Sequence, residues 1–100
     1  MIIDTFNFQD KIEETEFAIV KFMAEWCGPC KRYAPIFESF AEKHPEIGCF
    51  SVDCEASKEL AEEYHIMSIP ATIVFKNGEM IKQKQGILSV EDLEKVISGE

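Results

Sequence analysis

Hydrophobic and polar positions along this chain follow two alternating periods, those of strands and of amphipathic helices. Residues 17–23 are apolar on both faces except at Lys21, which indicates a central strand covered from both sides. From Pro29 to Lys43 the apolar residues recur at steps of three and four, which predicts an amphipathic helix. Pro35 lies inside that helix, where it removes a backbone hydrogen bond, so we expect a bend there.

Shorter segments continue the alternation. Further strands are predicted at residues 1–5, 49–54, 72–75 and 80–85. Further helices are predicted at 7–14 with Asn7 as the cap, at 57–65, and between Ser89 and Gly99. Asn77-Gly78, between the last two strands, predicts a tight antiparallel hairpin. Ser89 and Asp92 have the spacing of a capping box, and Gly99 is suited to end the last helix.

The order of these elements, strand-helix-strand-helix-strand-helix-strand-strand-helix, predicts the α/β class. The expected architecture is a three-layer sandwich, a central mixed and mostly parallel sheet of about five strands flanked by four helices. Since helical crossovers favour parallel pairing, we expect an antiparallel edge only at the terminal hairpin. A length of 100 residues with 46% hydrophobic side chains suits one domain over residues 1–100.

The charge balance excludes several function classes. Nineteen acidic against ten basic side chains give a net charge of −9, so nucleic acids and membranes are not expected partners. No apolar run approaches the roughly 20 residues of a membrane span, and the first residues lack signal-peptide features. We therefore expect a cytoplasmic protein. Hydrolase and nucleotide-dependent functions have no support, because the sequence has no phosphate loop, dinucleotide fingerprint or nucleophile elbow.

Cys27 and Cys30 form a Cys-x-x-Cys pair, which in a cytoplasmic chain points to metal binding or thiol chemistry. The spacing alone is weak evidence, but its placement directly after a buried strand and before a helix is more specific. Helix N-termini stabilise thiolates through unpaired N–H groups and the macrodipole, so we expect a lowered pKa for Cys27. Cys30, on the same helix face, can then resolve a mixed disulfide formed on Cys27.

Three neighbouring residues fit the same chemistry. Pro29 has a fixed φ suited to the first helical turn, and Gly28 permits close approach of a substrate backbone. Trp26 offers an apolar surface beside an exposed nucleophile, on which a protein substrate can dock. The alternative for Trp26 is an ordinary core position.

Several segments match one known family in order and spacing across nearly the whole chain. They are 24–31 (AEWCGPCK), Pro35, 69–72 (IPAT), 75–78 (FKNG) and Gly86. On these residues the chain resembles the thioredoxin family. The resemblance implies the thioredoxin fold, with the fourth strand antiparallel and four flanking helices.

The resemblance also implies a function, a thiol-disulfide oxidoreductase that reduces protein disulfides with Cys27 as the nucleophile and Cys30 as the resolving thiol. The implied partners are a thioredoxin reductase and disulfide-containing client proteins. No cofactor is expected beyond the Cys27–Cys30 redox disulfide, and we expect a monomer. From the residues themselves, a non-catalytic interaction module and a zinc-binding structural domain stay open as alternatives.

The second half of the chain contributes residues to the expected site through the same resemblance. An Ile-Pro bond is trans by default, but the matching proline of the family is cis and faces the cysteines. Pro70 is therefore expected to be cis and to exclude metal, and the backbone of Ile69 to pair with a substrate strand. Gly86, otherwise a plain turn glycine, would permit close approach of that substrate.

Lys21 departs from the family pattern, in which this position usually carries a buried aspartate that handles the proton of the second cysteine. A lone buried ammonium is unfavourable. One interpretation is that Lys21 extends its charged end to an edge or pairs with a carboxylate such as Glu25. The other is that Lys21 favours a thiolate by its charge and exchanges a proton with Cys30, with Glu25 as the other candidate group.

Cys49 and Cys54 complete a loose four-thiolate zinc pattern with the first pair. If both lie on one strand, their odd separation puts them on opposite faces about 16 Å apart, too far for one metal. We therefore expect small buried hydrophobes, or a regulatory thiol if either is exposed. His44 and His65 lie near predicted helix ends, where we expect interactions with C-terminal dipoles.

Overall fold

The computed structural model describes residues 1–99, and within that range the chain forms four helices and four strands. The helices are α1 (Phe8–Ile12), α2 (Gly28–Lys43), α3 (Lys58–Glu63) and α4 (Val90–Ser98). The strands are β1 (Phe17–Met23), β2 (Gly48–Asp53), β3 (Ala71–Lys76) and β4 (Glu79–Gln85). The predicted α/β alternation is therefore confirmed. No helix in residues 1–99 has the length and hydropathy needed to cross a membrane.

The strands form one mixed sheet in the order β2-β1-β3-β4. β1 is parallel to β2, antiparallel to β3, and β3 is antiparallel to β4. The prediction of a mostly parallel sheet is therefore wrong. The family resemblance implied an antiparallel fourth strand; that predicted strand, at 72–75, is β3 of the structure, and its antiparallel direction is confirmed.

Helix length explains this difference in strand direction. α2 has 16 residues, so it rises about 24 Å and carries the chain back along the sheet to start a parallel β2. α3 has 6 residues and rises only about 9 Å, less than the roughly 20 Å of a six-residue strand. The chain therefore enters β3 at the end of the sheet where β2 stops, and β3 runs antiparallel.

The predicted first strand is reduced to a single bridge between Ile2 and Ser51, so the sheet has four strands within residues 1–99 instead of about five. The reason lies at Asp4, whose carboxylate accepts the backbone N–H groups of Phe6 and Asn7 at 2.9 and 3.1 Å. This turn ends the extended backbone immediately after Ile3.

Asn7 precedes α1, as predicted, but its side chain does not cap the helix. Its Oδ1 instead accepts the backbone N–H of Asp4 at 2.8 Å, so the side chain closes the turn before the helix. The prediction that the Asn7 side chain caps α1 is therefore wrong. The other caps hold, because Ser89 and Asp92 form a reciprocal capping box and Gly99 ends α4 with a φ of 86°.

The predicted three layers are confirmed by two separate cores. One core packs α1 and α3 against the sheet and includes Phe8, Ile12, Phe22, Leu60 and Phe75. The other packs α2 and α4 against the opposite sheet face and includes Ile19, Tyr33, Phe37, Phe40 and Leu93. β1 supplies alternate residues to both cores, which is why the run at 17–23 is apolar on both faces.

Candidate redox site

Cys27 and Cys30 form a disulfide at the N-terminus of α2, with their Cα atoms 5.2 Å apart. Cys27 is the N-cap residue, and its Sγ accepts the backbone N–H of Cys30 at 3.2 Å. Pro29 lies in the first turn of the helix, where its missing N–H leaves nothing unpaired. In the reduced chain, the same N–H and the helix macrodipole would stabilise a thiolate on Cys27.

Both cysteines are nearly covered in the disulfide form. Cys27 is 3% and Cys30 4% exposed, so the expectation of an exposed nucleophile is wrong for this state. The cover comes from Ala24, with Met23 and Ile69 packed around the pair. The part of Cys27 that is left uncovered borders the cleft beside it.

That cleft, called the Cys27 cleft below, is an open groove of about 520 Å³ with mostly apolar walls. Its lining residues are Trp26, Cys27, Gly28, Pro29, Cys54, Ala61, Ile66, Met67, Ser68 and Ile69. Trp26 is 69% exposed, so the alternative that places it in the core is wrong. The cleft brings together the predicted residues of the motif and Ile69 from the second half of the chain.

The bond between Ile69 and Pro70 is cis, as the family resemblance implied. The carbonyl oxygen of Ile69 lies 3.8 Å from the Sγ of Cys27, and the N–H of Gly86 donates to the carbonyl of Pro70 at 2.8 Å. Gly86 has a φ of 89°, and a Cβ built there would meet no atom within 4 Å. The backbone of Ile69 therefore meets the disulfide, and Gly86 is joined to that segment through Pro70.

Sequence reasoning missed the wall of this cleft between α3 and the cis-proline. Met67 is 85% exposed, and Ile66 lines the groove beside it. The available signal was a pair of apolar residues in a segment with no helical or strand period, just before Ile69-Pro70.

Lys21 lies in the middle of β1 and is 8% exposed. Its Nζ lies 5.2 Å from the centre of the Phe37 ring, and no carboxylate within residues 1–99 approaches it to 4 Å. The predicted ion pair with Glu25 is therefore wrong. Burial lowers the pKa of Lys21, and Glu38 on α2 partly opposes that shift.

A second groove of about 440 Å³, called the Cys30 cleft below, joins Lys21 to the redox pair. Its lining residues are Lys21, Met23, Ala24, Glu25, Cys30, Lys31 and Ala34. The structure therefore brings both predicted ionisable candidates, Lys21 and Glu25, to the cleft that Cys30 lines.

Cys49 lies in β2, whereas Cys54 follows its last residue, so the prediction that one strand holds both is wrong; the two nevertheless pack against opposite cores, as expected. Burial raises the pKa of Cys49 to about 11 and also raises that of Cys54. Residues 1–99 contain no group of three or more His, Cys, Asp or Glu side chains that could hold a metal ion.

The two histidines lie near helix ends, as predicted. His44 is the C-cap residue of α2, and its Nε2 lies 2.8 Å from Oε2 of Glu94. His65 follows α3.

Comparison with known proteins places these features in a family. The sequence model described as Thioredoxin matches residues 1–99. The chain is 36% identical over 97 residues to thioredoxin of Chlamydia trachomatis serovar D, covering 97% of this chain and 94% of the relative. It is 38% identical to thioredoxin of Alicyclobacillus acidocaldarius, covering 94% and 90%. The structure of Plasmodium falciparum thioredoxin aligns at 33% identity with a TM-score of 0.88, covering 98% and 96%.

Proposed function

The chain belongs to the thioredoxin family and is a dithiol-disulfide oxidoreductase, and on that premise we propose that it reduces disulfides of client proteins through Cys27 and Cys30. The observation that carries this proposal is the position of Cys27. Its Sγ lies at the N-cap of α2, accepts the N–H of Cys30, and opens onto an apolar cleft.

The proposed reaction has two exchange steps. The Cys27 thiolate attacks one sulfur of a client disulfide; a Cys27–client disulfide forms, and the other client sulfur leaves as a thiolate and takes a proton. Cys30 then loses its proton and attacks Cys27 Sγ, which forms the Cys27–Cys30 disulfide and releases the second client sulfur. Two electrons pass to the client, and the helix N-terminus stabilises the first attacking thiolate.

Client docking is assigned to the rim of the Cys27 cleft. Trp26, Gly28 and Pro29 supply the side nearest the disulfide, and their exposure leaves them available to a partner. An extended client segment would pair with the backbone of Ile69, beside the cis-Pro70. Gly86 leaves open space where any other residue would carry a Cβ.

Other proteins complete the catalytic cycle by reducing the Cys27–Cys30 disulfide and by supplying client disulfides. We propose a thioredoxin reductase as the source of the dithiol and disulfide-containing proteins as clients, with the chain acting as a cytoplasmic monomer. No bound cofactor is required, because the cysteine pair itself carries the two electrons. The net charge of −9 argues against nucleic acid or membrane as partner.

Reduction of insulin disulfides by dithiothreitol tests this proposal. The native chain should accelerate the reduction, Cys27→Ser should abolish the acceleration, and Cys30→Ser should leave the chain trapped on its client as a mixed disulfide. Cys49→Ser, the matched control, removes a thiol outside the Cys27 cleft and should keep full activity. A folded native chain that gives no acceleration would overturn the proposal and favour a non-catalytic interaction module that uses the same cleft.

A further inference from the structure

Lys21 is the one charged side chain that the fold buries among residues 1–99. Its partners across the sheet are the neutral residues Ser51 on β2 and Thr72 on β3. Above it, the Phe37 ring lies 5.2 Å from Nζ and offers only the weak attraction of an aromatic face. A buried charge normally needs a paired charge, and in the disulfide form no carboxylate of the described chain is within 4 Å.

Ionisable groups surround this ammonium on several elements. They are Cys30, Lys31 and Glu38 on α2, Glu25 after β1, Cys49 on β2, and the N-terminal amine of Met1. Tyr33 on α2 stays neutral, since burial raises its pKa to about 12. Of these groups, Cys30 is the one whose charge depends on the redox state of the site, and it lines the same cleft as Lys21.

We propose that Lys21 is a positioning residue for the resolving step, in which its ammonium stabilises the thiolate of Cys30 across the Cys30 cleft. The inference rests on the proposed function, because Cys30 bears a negative charge only once the disulfide has opened. Lys21 transfers no proton in this step. The Cys30 thiol releases its proton to water, its sulfur attacks Cys27 Sγ, and the departing client thiolate takes a proton from water.

The size of the effect follows from Coulomb attraction in a cleft that water enters. A cation acting across such a cleft lowers the pKa of a thiol by about half a unit to one unit. At neutral pH this corresponds to a thiolate fraction about three- to tenfold higher than without the charge. Because a thiolate of lower pKa is also a weaker nucleophile, the resolving rate gains only about two- to fourfold.

Lys21→Met removes the charge and keeps the length of the side chain, and Lys21→Arg keeps the charge. The measurement is the rate at which a trapped Cys27 mixed disulfide releases its client, followed from pH 5.5 to 9.5. Lys21→Met should be about two- to fourfold slower at pH 7, with its profile displaced upward by about half a unit to one unit. Lys21→Arg should stay within about 1.5-fold of the native chain and keep the native pH profile.

Lys76→Met is the matched control. The Nζ of Lys76 also lies over an aromatic ring, 5.4 Å from the centre of the Phe17 ring. Lys76 pairs with Phe17 at the start of β1, however, and the cysteines follow the other end of that strand. This variant should leave the profile unchanged. A native profile in Lys21→Met, or a folded Lys21→Arg as slow as Lys21→Met, would overturn the inference. A native chain that releases no client would instead contradict the proposed function.

A measurement on the native chain avoids the chance that Lys21→Met fails to fold. Because electrostatic coupling is reciprocal, ionisation of Cys30 must raise the pKa of Lys21 by the same amount. Side-chain NMR of labelled lysines should therefore show a Lys21 titration that moves upward by about half a unit to one unit on reduction. Identical Lys21 titrations in both redox states would refute the coupling.

Discussion

The two sulfurs of one disulfide face two clefts of different character. The Cys27 cleft is apolar, and its rim carries the exposed side chains of Trp26 and Met67. The Cys30 cleft contains three ionisable side chains besides the cysteine, namely Lys21, Glu25 and Lys31. Cys27 caps α2 and meets the loop of Ile69, whereas Cys30 lies inside the helix over β1. One turn of helix therefore separates the proposed docking surface from the proposed surface for charge control.

The two sheet faces repeat this contrast below the clefts. Both cores contain aromatic contacts, with ring centres 5.6 Å apart for Phe8 and Phe75 under α1 and α3 and 5.7 Å apart for Tyr33 and Phe37 under α2 and α4, so the difference lies in the buried polar groups. The face under α2 and α4 holds the buried lysine and a hydrogen bond of 2.8 Å between the hydroxyls of Tyr33 and Thr72. The charged cleft thus lies on the sheet face that already contains buried polar groups.

The largest expected difference between the two sides concerns the free thiols. Cys54 lines the Cys27 cleft, and Cys49 lies on the other face in a cavity shared with Lys21. Burial raises the pKa of Cys49 to about 11 from an ordinary 9.0. At pH 8 its thiolate fraction, and so its alkylation rate by iodoacetamide, should be about a hundredfold below that of an unperturbed thiol. The rate should keep rising with pH until about 11.

Mass spectrometry of the alkylated disulfide form measures both sites in one sample. Cys54, whose pKa is also raised by burial, should react before Cys49 because it borders an open cleft. The chain unfolded in guanidinium serves as the control, in which both thiols should react at equal rates. If Cys49 reacts as fast in the folded chain as in the unfolded one, the contrast between the two faces does not hold for their thiols.

The next effect concerns docking on the apolar side. Trp26→Ala removes the most exposed aromatic surface of the Cys27 cleft and leaves the disulfide geometry of α2 in place. Large exposed aromatics that anchor a partner typically contribute about 2 kcal/mol, so kcat/KM for insulin reduction should fall about ten- to thirtyfold. Exchange with a small disulfide such as oxidised glutathione should change less than about threefold, because it needs little docking surface.

Phe6→Ala is the matched control for lost aromatic surface. Phe6 is 96% exposed and lies outside the lining of both clefts, so insulin reduction should be unaffected. An equal loss with the small disulfide and with insulin would mean that Trp26 acts on the thiolate instead of on the client. Docking would then not distinguish the Cys27 cleft from the Cys30 cleft.

Sequence patterns predicted the parts of this molecule that depend on local physics. The period of three and four located α2, Asn77-Gly78 produced the hairpin with positive φ at both residues, and the Ser89 capping box formed as expected. The Cys-x-x-Cys motif located the disulfide because its placement between strand and helix is also a local property.

Properties that depend on long-range contacts could not be predicted in the same way. The direction of β3 follows from how far α3 reaches, and the environment of Lys21 follows from which side chain of α2 lies above it. The apolar wall at Met67 lies in a segment without periodicity, so only its position across the cleft from Trp26 makes it part of the site. The family resemblance predicts the cis bond at Pro70, whereas the Ile-Pro sequence alone favours a trans bond.

The smallest expected effect concerns the buried hydrogen bond between Tyr33 and Thr72, on the sheet face under α2 and α4. Tyr33→Phe leaves the Thr72 hydroxyl, in a residue 1% exposed, without its partner. An unpaired buried hydroxyl costs about 1 to 2 kcal/mol, so the free energy of unfolding of the disulfide form should fall by that amount in urea. Tyr64→Phe, on the face under α1 and α3, removes a hydroxyl from a half-buried residue and should cost less than about 0.5 kcal/mol.

A double variant separates the hydrogen bond from simple loss of packing. Thr72→Val replaces the second hydroxyl with a methyl group, so in Tyr33→Phe/Thr72→Val neither partner is left unpaired. The double variant should therefore lose less stability than the two single variants added together, by about 1 kcal/mol. Strictly additive losses would show that the two hydroxyls do not depend on each other. In that case each loss would come from changed packing and not from an unpaired hydroxyl.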